Sequence, residues 1–122
     1  MNLDSYIELI EKNLMHNIRI IRGIVGETTR LSSVVKGNAY GHGFVPFLEM
    51  SLASGIDHFA VANAREARQI APILKGKASI MVMGIYDEQD VKWFIQNEIE
   101  IYIGSLDQLK MVIQKAKIVG KK

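Results

Sequence analysis

Four times along this chain a short apolar run passes into an amphipathic stretch, with run starts near residues 31, 56, 79 and 99. That regularity constrains the fold more than any other feature. Leu31 to Val35, Ile56 to Ala62, Ser79 to Met83 and Ile99 to Ile103 read as strands. Phe44 to Ser54, Ala64 to Leu74, about Glu88 to Asn97 and about Leu106 to Lys117 return to helical spacing. Pro46 suits a first turn, Gly55 closes its helix, Asp87 is placed as an N-cap, and Ser105 and Gln108 have the spacing of a capping box. Ahead of these units Ile10, Leu14, Ile18, Ile21 and Val25 form one stripe of a long helix ending at Gly26.

Uninterrupted β-α-β-α order with apolar strands implies a parallel sheet with right-handed crossovers, covered by helices. The 122 residues make one domain or part of one and fall far short of the ~250 of a closed (β/α)8 barrel. Two closures follow. One is a four-stranded open sheet of the flavodoxin kind, covered on both faces. The other is four βα units forming the N-terminal half of a TIM-type (β/α)8 barrel, which leaves its first and fourth strands unpaired outside and bares an inner face including Val34, Phe59, Val82 or their neighbours.

Composition removes several function classes. Hydrophobic residues at 48% and charged residues at 23% are ordinary globular values, against a disordered or fibrous chain. The net charge of +2 is a tail effect: Lys115, Lys117, Lys121 and Lys122 are basic with no acid among them, and the body before them is net negative. A basic nucleic-acid-binding face is therefore not supported. With no cysteine, disulfides, Cys-ligated zinc, iron–sulfur clusters and thiol catalysis are excluded. The opening Met1-Asn2-Leu3-Asp4 lacks the basic and apolar regions of a secretory leader, and no apolar run approaches the ~18 residues of a membrane span. These features point to a cytoplasmic protein without a membrane partner.

In parallel α/β folds chemistry gathers at the carboxyl ends of the strands. Of the loops beginning at Lys36, Asn63, Gly84 and Gly104, the first is the most unusual: residues 34 to 43 read VVKGNAYGHG. A lysine at a strand end is ordinarily a solvated terminus. Held in a low-dielectric mouth, the same amine becomes a nucleophile toward a carbonyl and a proton carrier, and the glycines beside it let backbone N–H groups approach an anion. Elsewhere bland roles fit. His16 reads as a surface or packing residue, His58 as a rim residue, and the three histidines stand apart from carboxylate clusters. Trp93, Phe94 and Ile95 read as the apolar side of a helix, and Arg65, Glu66 and Arg68 as a solvated helix start.

The run Val34-Val35-Lys36-Gly37-Asn38-Ala39-Tyr40-Gly41-His42-Gly43 resembles the pyridoxal-phosphate attachment motif of bacterial alanine racemases, with Gly37 where alanine is commoner. Glu8, Leu14, His16 and Asn17 fit that family's opening segment, Gly55 to Ala62 its second strand with Glu66 following, and Ile80 to Gly84 its third. The resemblance implies a fold-type III enzyme, a barrel followed by a β-rich domain, acting as a homodimer on an amino acid and supplying D-alanine for cell-wall synthesis. On that basis residues 1–122 are the N-terminal part of the cofactor-binding barrel. Lys36 would carry pyridoxal 5'-phosphate as a Schiff base and act as one base, Tyr40 would approach the cofactor phosphate, and Met83 and Tyr86 match pocket positions. The family's second base, a tyrosine reaching in from the partner subunit, and its arginine partner of the pyridine nitrogen have no counterpart in these residues. Racemases of serine, lysine or broad specificity share the motif, and single-domain non-catalytic carriers of pyridoxal phosphate share the fold type but lack the run Asn38 to Gly43.

Overall fold

A computed structural model of the chain describes residues 5–121; Met1 to Asp4, read above for a leader, and Lys122 lie outside the described residues. The elements run α1 (Glu11–Val25), β1 (Ser33–Val34), α2 (Lys36–Tyr40), α3 (Phe44–Ala53), β2 (His58–Val61), α4 (Ala64–Leu74), β3 (Ser79–Val82), α5 (Glu88–Gln96), β4 (Glu100–Ile101) and α6 (Leu106–Val119). Every helix but α2 lies where periodicity places it, with α6 running on to a left-handed Gly120. No helix among the described residues is long and apolar enough to cross a membrane.

The strands form one parallel sheet in the order β1-β2-β3-β4. That order decides between the two closures. A doubly wound open sheet reverses its strand order at a switch point, whereas a barrel adds each strand on the same side of the last. The chain is four βα units of a TIM-type barrel, and the flavodoxin-like alternative is overturned.

Helices cover one face of that sheet. Phe59 pairs in register with Ile80 and Val61 with Val82, so with a side-chain period of two these four share a face. It is the covered one: Phe59, Val61 and Val82 are fully buried among Ile70 and Leu74 of α4 and Phe94 of α5. The expectation that Phe59 and Val82 line the bare face is corrected by this register; of the three residues named, only Val34 does, and it is 36% exposed. The inner row is Val34, Ala60, Met81 and Glu100, each aligned with the next. A shift of one residue exchanges the two faces, and strands apolar on both sides carry no alternation to reveal it.

The edge strands are also shorter than expected. β1 and β4 pair over two residues each, against four in β2 and β3, because each has a neighbour on one side only. In α1 none of the stripe is buried: Leu14 and Ile18 are half covered, while Ile21 and Val25 remain 47% and 39% exposed. At the helix starts, the Ser105 hydroxyl accepts the Gln108 N–H as expected, and Gln108 Oε1 reaches back to the Gly104 N–H. Asp87 occupies the N-cap of α5 with extended backbone, but its side chain makes no capping bond.

Candidate functional site

At the carboxyl end of β1 the chain does something an L-polypeptide rarely does. Gly37, Asn38 and Ala39 adopt φ/ψ of 62/42°, 55/48° and 55/47°, Tyr40 follows at φ 54° and Gly41 at 87°. Within α2, Gly37 to Tyr40 thus make a single left-handed turn directly after Lys36. Left-handed backbone costs roughly 1–2 kcal/mol for each residue with a Cβ, here Asn38, Ala39 and Tyr40, so its surroundings must determine it.

They do so with hydrogen bonds. Ala39 N–H donates to the Val35 carbonyl at 2.7 Å, Gly41 N–H to Gly37 O at 3.0 Å and Gly43 N–H to Asn38 O at 2.9 Å. The Asn38 side-chain oxygen accepts the Phe44 N–H at 2.9 Å, and His42 Nδ1–H donates to Ala39 O at 2.9 Å with its ring edge-to-face on Phe47. Ala39 is buried at the centre of the turn.

The turn is also tied to the next strand end by Glu66. One carboxylate oxygen accepts the Gly37 N–H at 2.7 Å and the other accepts the Ala62 N–H at 2.8 Å. Glu66 is 8% exposed, so its reading as part of a solvated helix start is corrected. The local signal was Asn63-x-x-Glu66, a capping-box spacing: Asn63 Oδ1 accepts the Glu66 N–H at 3.0 Å, and the Glu66 side chain turns back over the start of α4. Beyond Ala62 the linkage continues, because its carbonyl accepts the Gly84 N–H at 3.1 Å. Gly84 is required there, since a Cβ would overlap that carbonyl oxygen. Arg68, also read as solvated, pairs with Asp90 at 2.8 Å and lies over the Trp93 ring.

The four residues singled out from the sequence are all at this end of the sheet, but not in one cleft. Lys36 is exposed and makes no ion pair among the described residues. Tyr40 is 62% exposed on the left-handed turn. Met83, half-buried, donates its N–H to Val61 O at 2.9 Å. Tyr86 donates its hydroxyl to Tyr102 O at 3.0 Å and stands edge-to-face on Phe94; burial pushes its phenol pKa up, and a hydrogen bond with Gln108 opposes that to a smaller extent. A cleft of about 420 Å³ beside Asn63, Arg65, Arg68 and Asp90 includes Tyr86 but not Lys36, Tyr40 or Met83.

The opposite end of the sheet holds a second cluster. His58 is buried, 4% exposed, with Nδ1 on the Ser32 hydroxyl at 2.7 Å and Nε2 on the Glu100 carboxylate at 3.0 Å. It is neither a rim residue nor apart from carboxylates, which corrects both expectations. Arg30 reaches Glu100 at 3.2 Å, the Ser79 hydroxyl at 2.8 Å and Asp57 at 3.7 Å. Sequence spacing could not bring these together, since they come from positions up to 70 residues apart.

Taken together, the half-barrel order and the lysine running into a left-handed turn at the first strand's carboxyl end define a class: the opening βα units of a barrel that presents its chemistry at that end. The sequence profile described as alanine racemase, N-terminal domain, matches residues 11–122, and the chain belongs to that family. It is 31% identical over 121 residues to alanine racemase 1 of Oceanobacillus iheyensis, covering 98% of this chain and 31% of that protein. Over 110 residues it is 33% identical to an alanine racemase of Methanococcus maripaludis, covering 88% of this chain and 29% of the relative. The fold superposes on an alanine racemase of Clostridium difficile 630 in complex with cycloserine with a TM-score of 0.81 at 26% identity, covering 91% of this chain and 30% of that one. The chain thus spans about three tenths of the length of the relatives it matches.

Proposed function

We propose that this chain forms the lysine-bearing part of a pyridoxal-phosphate-dependent amino-acid racemase, with alanine as substrate. The observation that carries the reading is the backbone at Lys36: the first barrel strand ends on this lysine and runs straight into a left-handed turn held by Asn38 and Glu66, which sets the amine, exposed and without an ion-pair partner among the described residues, at a fixed place at the carboxyl end. Such an amine suits the aldehyde of pyridoxal phosphate, because no carboxylate competes for it. Tyr40, exposed four residues on, offers a phenol toward the phosphate side.

When bound, the cofactor supplies an electron sink for the charge left at the substrate Cα. Lys36 contributes the attachment point and, once displaced by substrate, a group within the site that takes or returns the Cα proton on one face. The other face needs a second proton carrier, which this reading places outside these 122 residues. The left-handed turn fixes where the Lys36 side chain starts, so the proton is moved at a defined position. Met83 and Tyr86, from the loop after β3, would flank the substrate side.

A second copy of the chain is the proposed protein partner. Val34 and Tyr102 are 36% and 57% exposed on the inner face, and β1 and β4 each have a strand neighbour on one side only. Sedimentation at micromolar concentration is expected to show association; a single monomeric species would overturn that part.

The test of the site is chemical trapping. Adding pyridoxal phosphate and then borohydride, followed by peptide mass mapping, is expected to label Lys36, and Lys36→Ala to remove the label. A label carried instead by Lys75, Lys77 or the C-terminal lysines would overturn the assignment.

A further inference from the structure

We infer that Glu66 is a positioning residue for Lys36, acting as a two-oxygen brace that sets the peptide plane on which the lysine is carried. This rests on the reading of Lys36 given above. Gly37 N–H belongs to the peptide unit whose carbonyl is that of Lys36, so the 2.7 Å bond from Gly37 N–H to Glu66 Oε1 holds the backbone on the carboxyl side of the lysine. On the amino side, Val35 N–H donates to Ala60 O at 2.8 Å and Val35 O accepts from Ala39 N–H at 2.7 Å. Lys36 thus sits between two anchored peptide units, and only the Gly37 anchor depends on a side chain.

The chemistry of the brace is specific. The two donors approach separate oxygens, and a carboxylate is the one side-chain group offering two acceptors and no donor. Gln in its place would turn an NH2 toward one of the N–H groups. Asp, one methylene shorter, would not span both strand ends from the same Cα. Losing a bond would leave a donor at a half-buried strand end unpaired and release the turn toward right-handed conformations, which Asn38, Ala39 and Tyr40 intrinsically favour.

The brace also couples strands. Through Ala62, whose N–H goes to Glu66 and whose carbonyl accepts Gly84 N–H, the ends of β1, β2 and β3 form one hydrogen-bonded row. Asn63 fixes the backbone of Glu66 at the first turn of α4. The position of Lys36 is therefore set by α4 as well as by its own strand.

The experiment compares the full chain with Glu66→Gln by two readouts. Amide hydrogen exchange, needing no cofactor, should accelerate at least tenfold at Ala39, Gly41 and Gly43 while the amides of α5 keep their rates. Borohydride trapping with pyridoxal phosphate should yield at least tenfold less label on Lys36 relative to Lys75 and Lys77. Unchanged exchange and unchanged Lys36 selectivity would overturn the inference, and so would a uniform loss of protection across the sheet, which a merely structural role gives. If the unsubstituted chain shows no selectivity for Lys36, the cofactor reading fails while the exchange result still decides the brace. Should Glu66→Gln not fold, Glu66→Asp decides: exchange must accelerate at Ala39, Gly41 and Gly43 with the amides of α5 unchanged, and unchanged rates there would overturn the proposal.

Discussion

The two ends of the same four strands solve opposite problems. At the amino end, Arg30, Asp57, His58 and Glu100 are matched with one another and with Ser32 and Ser79 at 2.7 to 3.7 Å. At the carboxyl ends of β1 and β2 the bonds run between backbone groups, Asn38, His42, Asn63 and Glu66, and the Lys36 amine is left without an ion-pair partner among the described residues. Charge at one end is consumed in holding strands together; at the other, hydrogen bonds hold the backbone on either side of an exposed lysine. This division matches the barrel rule that the carboxyl face carries chemistry and the amino face stability.

Substituting one residue at each end should separate these roles. The larger effect on stability belongs to the amino end. His58→Ala removes a buried ring with two hydrogen bonds and opens a cavity between Ser32 and Glu100, so a loss of about 2–3 kcal/mol is expected in urea unfolding. A change below about 0.5 kcal/mol, the ordinary surface level, would mean the cluster is ornamental and the contrast between ends fails. Lys36→Ala should be near neutral in the same assay, within about 0.5 kcal/mol, because the exposed amine supports nothing in the fold. If it destabilised as much as His58→Ala, Lys36 would be a structural residue and the two ends would not differ in kind.

The fold was legible where information is local. Helical period and glycine stops fixed α1, α3, α4, α5 and α6 closely, because a helix satisfies its own backbone. The strands were legible in position but not in length or facing, since both depend on neighbours: β1 and β4 shrink to two paired residues, and Phe59 takes the helix side by register with Ile80. The glycine-rich run after Val35 marked the candidate site, but its left-handed turn did not show, because Ala39 and Tyr40 have no preference for positive φ and adopt it under bonds from elsewhere. Glu66, between two arginines, looked solvated. What buries it is a pair of N–H groups, one from a loop 29 residues away.

A pH-dependent effect tests the carboxyl end from its other side, at Tyr86. Its phenol is held above the ordinary tyrosine value of 10.0, first by burial and with a smaller opposing contribution from Gln108. Well below pH 10 folded and unfolded chains both keep the proton, and Tyr86→Phe should cost about 1 kcal/mol through the lost hydrogen bond to Tyr102 O. As pH rises through the unfolded value the unfolded chain gives up its proton before the folded one does. The folded state then binds more protons, so this residue's contribution to stability falls with rising pH. The gap between the unsubstituted chain and Tyr86→Phe should therefore narrow between about pH 9 and pH 11 in paired urea titrations, with the other tyrosines and the lysines cancelling in the difference. A gap that stays constant or widens would show that the phenol is at least as well hydrated folded as unfolded, and that the loop after β3 leaves Tyr86 open at the strand ends.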